Sequence, residues 1–219
     1  MNRRRDRILD AARKLISNEG YGHLTMRALA EAADITVPTI YNLIGNKDAV
    51  VGAAIHEGTE RFFESAGSSA DPVAILEKNV AELLRQSAYY RPLLRALLHG
   101  EAREAMAEID ALYLEHLHES IEGLKERGDL EPWVDSGILA ERMLSNFFGA
   151  ASEWASSVLS DAALPTATSY DANITLAGVA TDKGRSRFQS RARKLQKGAI
   201  ESERGRLRAR ELRSTGVRR

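Results

Sequence analysis

Apolar residues recur at helical spacing through almost all of the 219-residue chain, and this periodicity limits the possible folds more than any other feature. No long stretch alternates apolar and polar residues as a half-buried strand does. Only five prolines interrupt the chain. The sequence therefore predicts an all-α protein, with helices near 4–19, 26–33, 37–44, 47–66, 73–88, 91–99, 101–127, 134–160 and 169–180, and a basic helix within 184–210.

Charge is strongly segregated along the chain, although the formal net charge is zero. Residues 1–56 carry 8 basic and 6 acidic side chains, residues 57–182 carry 9 and 22, and residues 183–219 carry 14 and 3. An acidic middle between basic ends predicts that a polyanion is met by the ends. Two interpretations of the last segment stay open. It is a solvated, partly disordered tail, or a helix pinned by Phe188, Leu195 and Ile200.

Several functional classes are excluded by what the chain lacks. Without cysteine there are no disulfides, thiolate metal sites or cysteine nucleophile. No apolar run approaches the roughly 20 residues of a membrane helix, and the charged N-terminus does not resemble a signal peptide. We therefore expect a soluble, cytoplasmic protein without a membrane partner.

Motifs of common enzymes are also missing from the sequence. It has no GxSxG, GxxxxGK[ST], GxGxxG or HExxH motif, so we expect neither an enzyme nor a cofactor. His116 and His118 are the closest histidine pair, but side chains two residues apart on a helix point in nearly opposite directions. The pair therefore predicts no metal site.

Three short helices are predicted in the first 45 residues, and the spacing of the last two is specific. Asp34-Ile35-Thr36 separates them, as in a helix-turn-helix. Leu29 and Ile40 face inward, which leaves the first half of the third helix to meet base edges in the major groove. Its outward side chains are Val37, Pro38, Thr39, Tyr41 and Asn42.

The segment LTMRALAEAADITVPTIYNLIGNKDAVVGAAI resembles the helix-turn-helix and following helix of the TetR family of bacterial transcriptional regulators. About 50 residues carry the resemblance. It implies that Thr36, Val37, Thr39 and Asn42 face bases, with Pro38 on the same surface. It also implies that Thr25, Arg27, Tyr41 and Lys47 hold phosphates. Simpler interpretations remain for two of these, because Tyr41 can pack on the fourth helix and Lys47 can be solvated.

The domain prediction follows from these patterns and the resemblance. Residues 1–45 form a three-helix DNA-binding domain, 46–182 form a helical bundle for ligand binding and dimerisation, and 183–219 form a basic C-terminal segment. Helices 134–160 and 169–180 are expected to hold a homodimer through small residues such as Gly149 and Ala151. Predicted ligand-binding residues are Met106, Tyr113, His116, Met143, Phe147 and Trp154.

The function that these features predict is a repressor that binds a palindromic operator in double-stranded DNA and leaves it when a small apolar ligand binds. One alternative is a helical structural protein that binds DNA through its basic tail without sequence preference. Another is a helical enzyme or ligand carrier that has lost DNA binding, which predicts no DNA affinity at all.

Overall fold

Ten α-helices make up the regular structure of the computed structural model, which describes residues 3–66, 71–100 and 103–216. No β-strand occurs in these stretches, and the predicted all-α class is confirmed. The helices are α1 (Arg3–Glu19), α2 (Met26–Ala32), α3 (Val37–Leu43), α4 (Lys47–Ala66), α5 (Pro72–Arg85), α6 (Ser87–Leu98), α7 (Arg103–Glu126), α8 (Ser136–Ala155), α9 (Ala163–Gly178) and α10 (Asp182–Gly216).

The first helix shows how the sequence pattern becomes a buried face. Ile8, Leu9, Ala12 and Ile16 recur at helical spacing, and each has no exposed surface. The helix stops before Gly20, whose backbone φ of 87° lies in the left-handed region that favours glycine. The predicted helix at 4–19 and its end before Gly20 are thus confirmed.

The chain divides into two compact units. The first contains Met1–Gly67 and Gln86–Leu112, and the second contains Ser68–Arg85 and Tyr113–Arg219. In the first unit α1 contacts α2, α4 and α6. In the second unit α9 contacts α5, α8 and α10. This division assigns α4 and α6 to the same unit as the helix-turn-helix, whereas the functional boundary at residue 45 stays a prediction.

The start of α9 corrects the predicted helix at 169–180 and the loop expected before it. The helix begins at Ala163, because the backbone N–H groups of Ala163 and Leu164 already donate to the Ser160 carbonyl oxygen at 3.1 Å. Pro165 then lies in the first turn, where its missing N–H costs no hydrogen bond. Pro165 therefore lies at the beginning of a helix, where a loop was predicted.

The predicted helix at 91–99 is also corrected by the structure. Helix α6 begins earlier, at Ser87, and contains Pro92 in its interior. Tyr89 and Leu93 lie one turn apart on this helix and are both buried. Since α6 packs on α1, burial of that face outweighs the proline.

The basic C-terminal segment is helical over the described backbone, and α10 is longer than the predicted 184–210. Phe188 is fully buried and Ala192 is 3% exposed. Leu195 is half-buried, whereas Ile200 is 47% exposed. Of the two open interpretations, the pinned helix is therefore the one observed, and Phe188 rather than Ile200 is its anchor.

Two further properties concern the described stretches only. No helix there is long and apolar enough to cross a membrane. Nor do histidine, aspartate and glutamate side chains form a group that could hold a metal ion.

Candidate DNA-binding site

The second helix begins with the side-chain cap that its sequence predicts. The Oγ1 of Thr25 accepts a hydrogen bond from the backbone N–H of Ala28 at 3.1 Å. Thr25 and Arg27 are both exposed at this end of α2. The structure thus places the two predicted phosphate-contacting side chains on the exposed surface at the start of α2.

The turn between α2 and α3 depends on one residue with left-handed backbone geometry. Asp34 has φ 51°, a conformation that aspartate adopts more readily than most non-glycine residues. The Ile35 N–H donates to the Ala30 carbonyl at 3.0 Å, and the Arg7 guanidinium donates to the Asp34 carbonyl at 3.3 Å. Sequence reasoning missed Arg7, because a basic residue near a chain end has no local signal for this contact.

The third helix presents an uncharged, hydrogen-bonding surface. Ile40 is fully buried, and this orients the opposite face of α3 to solvent. Tyr41 is 53% exposed, so it does not fill the core. The remaining predicted base-facing residues are exposed (Thr36, Pro38, Asn42) or half-exposed (Val37, Thr39).

Thr36 occupies the N-cap position of α3, but its hydroxyl makes no capping hydrogen bond. Instead the Oγ1 atoms of Thr36 and Thr39 lie 2.9 Å apart. One hydroxyl donates to the other, which leaves one donor hydrogen and several acceptor lone pairs directed to the outward face.

Lys47 has partners inside the protein. Its ammonium lies 3.9 Å from the centroid of the Tyr21 ring and donates to the Tyr21 carbonyl oxygen at 3.4 Å. Asn46, just before it, caps α4 by accepting from the Ala49 N–H at 2.9 Å. An ammonium has three N–H donors, so these contacts position Lys47 without using all of them.

An arginine that sequence reasoning did not select joins α1 to α4. Arg13 donates to the Glu57 carboxylate at 2.9 Å and to the Ala54 carbonyl at 3.1 Å. It also pairs with Asp10 on its own helix at 2.9 Å. Only the tertiary structure brings Glu57, 44 residues away, next to this guanidinium. The contact fastens α4 to the first helix of the candidate DNA-binding surface.

Four of the predicted ligand-binding residues are buried in the second unit: Tyr113, Met143, Phe147 and Trp154. The rings of Tyr113 and Phe147 stack with centroids 6.3 Å apart. The Trp154 indole N–H donates to the Asp161 carboxylate at 2.7 Å, so this polar tip is satisfied within the chain. His116 is half-buried, and the Met106 side chain lies outside the described residues.

The N-terminal helices were compared with known protein families. Residues 8–54, which span α1 to the middle of α4, match the family described as bacterial regulatory proteins, tetR family. Over these residues the chain is similar to the TetR family. The resemblance seen in the sequence is thereby confirmed.

Curated relatives named as repressors are similar to the chain over a longer stretch. HTH-type transcriptional repressor KstR of Rhodococcus jostii (strain RHA1) is 33% identical over 114 residues, 49% of this chain and 53% of that protein. KstR of Mycobacterium tuberculosis (strain ATCC 25618 / H37Rv) is 34% identical over 116 residues, 49% of this chain and 52% of that protein. The chain thus spans about half the length of the curated relatives it matches.

Solved structures of TetR regulators share the fold. A TetR transcription regulator from Haloarcula marismortui ATCC 43049 has a TM-score of 0.67 and 18% identity, covering 83% of this chain and 100% of that one. The fatty acid degradation regulator FadR from Bacillus halodurans has a TM-score of 0.63 and 20% identity, covering 81% and 97%. These relatives and neighbours are named as regulators, in agreement with the expectation that the chain is not an enzyme.

Proposed function

We propose that the chain is a DNA-binding transcriptional repressor that recognises a palindromic operator as a homodimer and is released by a small apolar ligand. The observation that carries the proposal is α3. Its one fully buried side chain, Ile40, turns threonine, tyrosine and asparagine groups outward next to a helix-turn-helix turn. Such a helix docks in the major groove and reads base edges with its N-terminal half.

Within this surface the residues divide by chemistry. Asn42 has an amide that can bond adenine at two positions, and Val37 and the methyl group of Thr39 can contact a thymine methyl group. Thr25, Arg27, Tyr41 and Lys47 are the proposed phosphate contacts, which hold the register without reading sequence. The exposure of Thr25 and Arg27 at the start of α2 is consistent with the first two of these roles.

Selection of bound duplexes from a random pool is the experiment that tests the proposed recognition. We expect a palindrome whose half-sites lie about 34–36 Å apart or a multiple of that distance. Asn42→Ala should cost about 1–3 kcal/mol and relax selection at particular base pairs. Arg27→Gln should weaken binding to all DNA sequences by the same factor and reduce the salt dependence of that binding. Asn18→Ala, an exposed asparagine on α1, is the control.

A lack of any selected sequence would refute the proposed recognition, and so would equal losses on operator and random DNA for Asn42→Ala and Arg27→Gln. The alternative of a purely structural DNA binder predicts the second result. A carrier that has lost DNA binding predicts no binding to either duplex.

The proposed dimer uses the exposed side of α8 and α9. Ala150, Ala151 and Ala155 of the predicted small-residue stripe are buried within the chain, as is Leu176. Gly149 is exposed, and a Cβ added there would meet nothing within 4 Å. Ile174 is 48% exposed. The open space at Gly149 would let a second copy approach closely in the two-fold arrangement that a palindrome requires.

Sedimentation of the full chain at micromolar concentration tests the dimer. We expect a dimer for the wild type and dissociation for Ile174→Asp, because a carboxylate in an apolar interface is costly unless it is paired. Ile200→Asp on α10 carries the same change at a similarly exposed position and should leave the dimer intact. A monomeric wild type would refute this part of the proposal.

Ligand release is proposed from the apolar cluster of Tyr113, Met143 and Phe147, which offers large and adaptable side chains of the kind that line ligand cavities. A ligand that prefers a conformation with the wrong half-site separation weakens DNA binding, and DNA weakens ligand binding by the same factor. If the ligand binds that conformation about 100-fold more tightly than the DNA-binding one, the difference corresponds to nearly 3 kcal/mol. The test is a thermal-shift screen of apolar compounds followed by operator binding with each hit. Hits that leave operator affinity unchanged would refute ligand release.

A further inference from the structure

The described basic side chains of α10 fall into two groups that differ in what surrounds them. In the first group, arginines form ion pairs with acidic side chains. Arg187 lies 3.0 Å from the Asp129 carboxylate, and Arg206 lies 2.6 Å from that of Glu153. These pairs neutralise part of the charge of α10 and attach the helix to its neighbours.

The second group, which we name the basic stripe, consists of Arg193, Lys194, Lys197 and Arg204. All four are exposed, and no described side chain forms an ion pair or hydrogen bond with them. Residues 193, 197 and 204 are 4 and 11 positions apart, so at about 100° per residue they share one face of the helix. The stripe extends about 16 Å along α10.

The described acids of α10 do little to neutralise this face. Asp182 pairs with Arg185 at 3.1 Å, and Glu203 pairs with Arg206 at 3.1 Å. Glu201 alone projects on the same side as the stripe within the described part of the helix. Like charges one turn apart destabilise a helix. An uncompensated cationic face of this kind is complementary to a polyanion.

Duplex DNA fits the basic stripe better than an anionic membrane does. A helix that lies on a membrane inserts a whole apolar face. The apolar side chains Phe188 and Ala192 are instead buried in the protein, and Ile200 and Leu207 are the large exposed apolar residues described on α10. A phosphate backbone needs no inserted face. It presents a row of charges every 3.4 Å or so along one strand, which matches an extended stripe.

We propose that the basic stripe of α10 binds the phosphate backbone of duplex DNA and adds sequence-independent affinity to that of α3. The inference rests on the proposed function only in taking duplex DNA as the polyanion. Each phosphate contact releases condensed counterions, so the contribution is strong at low salt and disappears at high salt.

The test measures binding of the full chain to a random-sequence duplex across a salt series. The variant R193Q/K194Q/K197Q/R204Q should bind about tenfold or more weakly at low salt, and the slope of log K against log salt should fall by about 2–4. Sequence preference on selected operator DNA should be unchanged. Circular dichroism and thermal unfolding establish that the variant is folded.

Single variants of matched charge keep the test independent of folding. Arg193→Gln should weaken duplex binding about two- to fivefold, whereas Arg85→Gln, an exposed arginine on α5, should not. Glu201→Gln should strengthen duplex binding by a similar factor, and Glu119→Gln on α7, with the same change in net charge, should not. A gain of affinity cannot come from misfolding.

Unchanged duplex binding by the quadruple variant would overturn the proposal. So would a variant that retains duplex binding and instead loses binding to vesicles containing phosphatidylserine. Asn42→Ala, measured in parallel, separates this inference from the proposed function. If no sequence preference is found but the quadruple variant loses duplex affinity, the basic stripe stands and specific recognition does not.

Discussion

Helices α3 and α10 each bury one face and expose the other to solvent, but the exposed face of α3 is uncharged whereas that of α10 is rich in positive charge. The seven residues of α3 include no charged side chain, and Ile40 is its anchor. The segment from 183 to 219 carries 14 basic residues, and Phe188 anchors α10. Hydrogen-bond donors and acceptors on a short helix discriminate between bases, whereas dense positive charge attracts any polyanion. The comparison teaches that net charge alone does not locate a reading surface.

Removing the anchor of α10 is expected to have the largest effect on stability. Phe188→Ala should lower the free energy of unfolding by about 3–5 kcal/mol, because a fully buried aromatic ring leaves a cavity. Urea unfolding gives the change, and amide exchange should show faster opening of α10. Ile200→Ala, at a 47% exposed position, should cost little. If α3 alone reads the sequence, Phe188→Ala will leave the preferred operator sequence unchanged. A changed preferred sequence would show that α10 also takes part in sequence recognition.

The corresponding change in α3 should act on recognition as well as stability. Ile40→Ala removes the fully buried anchor of the helix and should cost about 2–5 kcal/mol in urea unfolding. It should also reduce the preference for operator over random DNA, because the base-facing side chains lose their fixed orientation. Leu98→Ala, at a 52% exposed position on α6, is the control. Full retention of preference would show that the reading surface lies elsewhere.

A near-isosteric substitution sharpens the comparison between hydroxyl groups and charge. Thr39→Val keeps the shape of the side chain but removes the hydroxyl that lies 2.9 Å from that of Thr36. The methyl contact of residue 39 is kept, but the Thr36 hydroxyl loses its partner, so operator binding should weaken by about 1 kcal/mol, with the loss confined to particular base pairs in a competition assay. Arg204→Gln should instead weaken all duplexes by the same small factor. Identical profiles for the two variants would contradict the division of roles.

The smallest expected effect concerns Asp171 and the way in which the free energy of unfolding depends on pH. Burial raises the pKa of Asp171 above its usual 3.8, and Arg206 partly opposes the shift while Glu203 and Glu153 add to it. The folded state therefore favours the neutral acid, so the free energy of unfolding should rise as pH falls through the folded pKa towards 3.8. Asp171→Asn should remove that rise in urea unfolding between about pH 7 and 4. An unchanged pH profile would show that Asp171 does not contribute.

The N-terminal helices were predictable because their signals are local. The Thr25 and Asn46 caps, the end of α1 at Gly20 and the Asp34 turn each involve residues within a few positions of one another. Helix boundaries in the second half of the chain were less predictable. Pro165 and Pro92 each suit more than one position in a helix, and burial against neighbouring helices decided between them.

The amino-acid sequence by itself determined the all-α class, the helix-turn-helix spacing and the outward set of α3 side chains, because helical periodicity and capping act over one or two turns. Only the tertiary structure decided which cations are paired. Arg13 meets Glu57, and Arg187 meets Asp129, across separations of 44 and 58 residues. Those separations carry no local pattern, so the exposed stripe of Arg193, Lys194, Lys197 and Arg204 is identified only once the chain has folded and the other basic residues have found their partners.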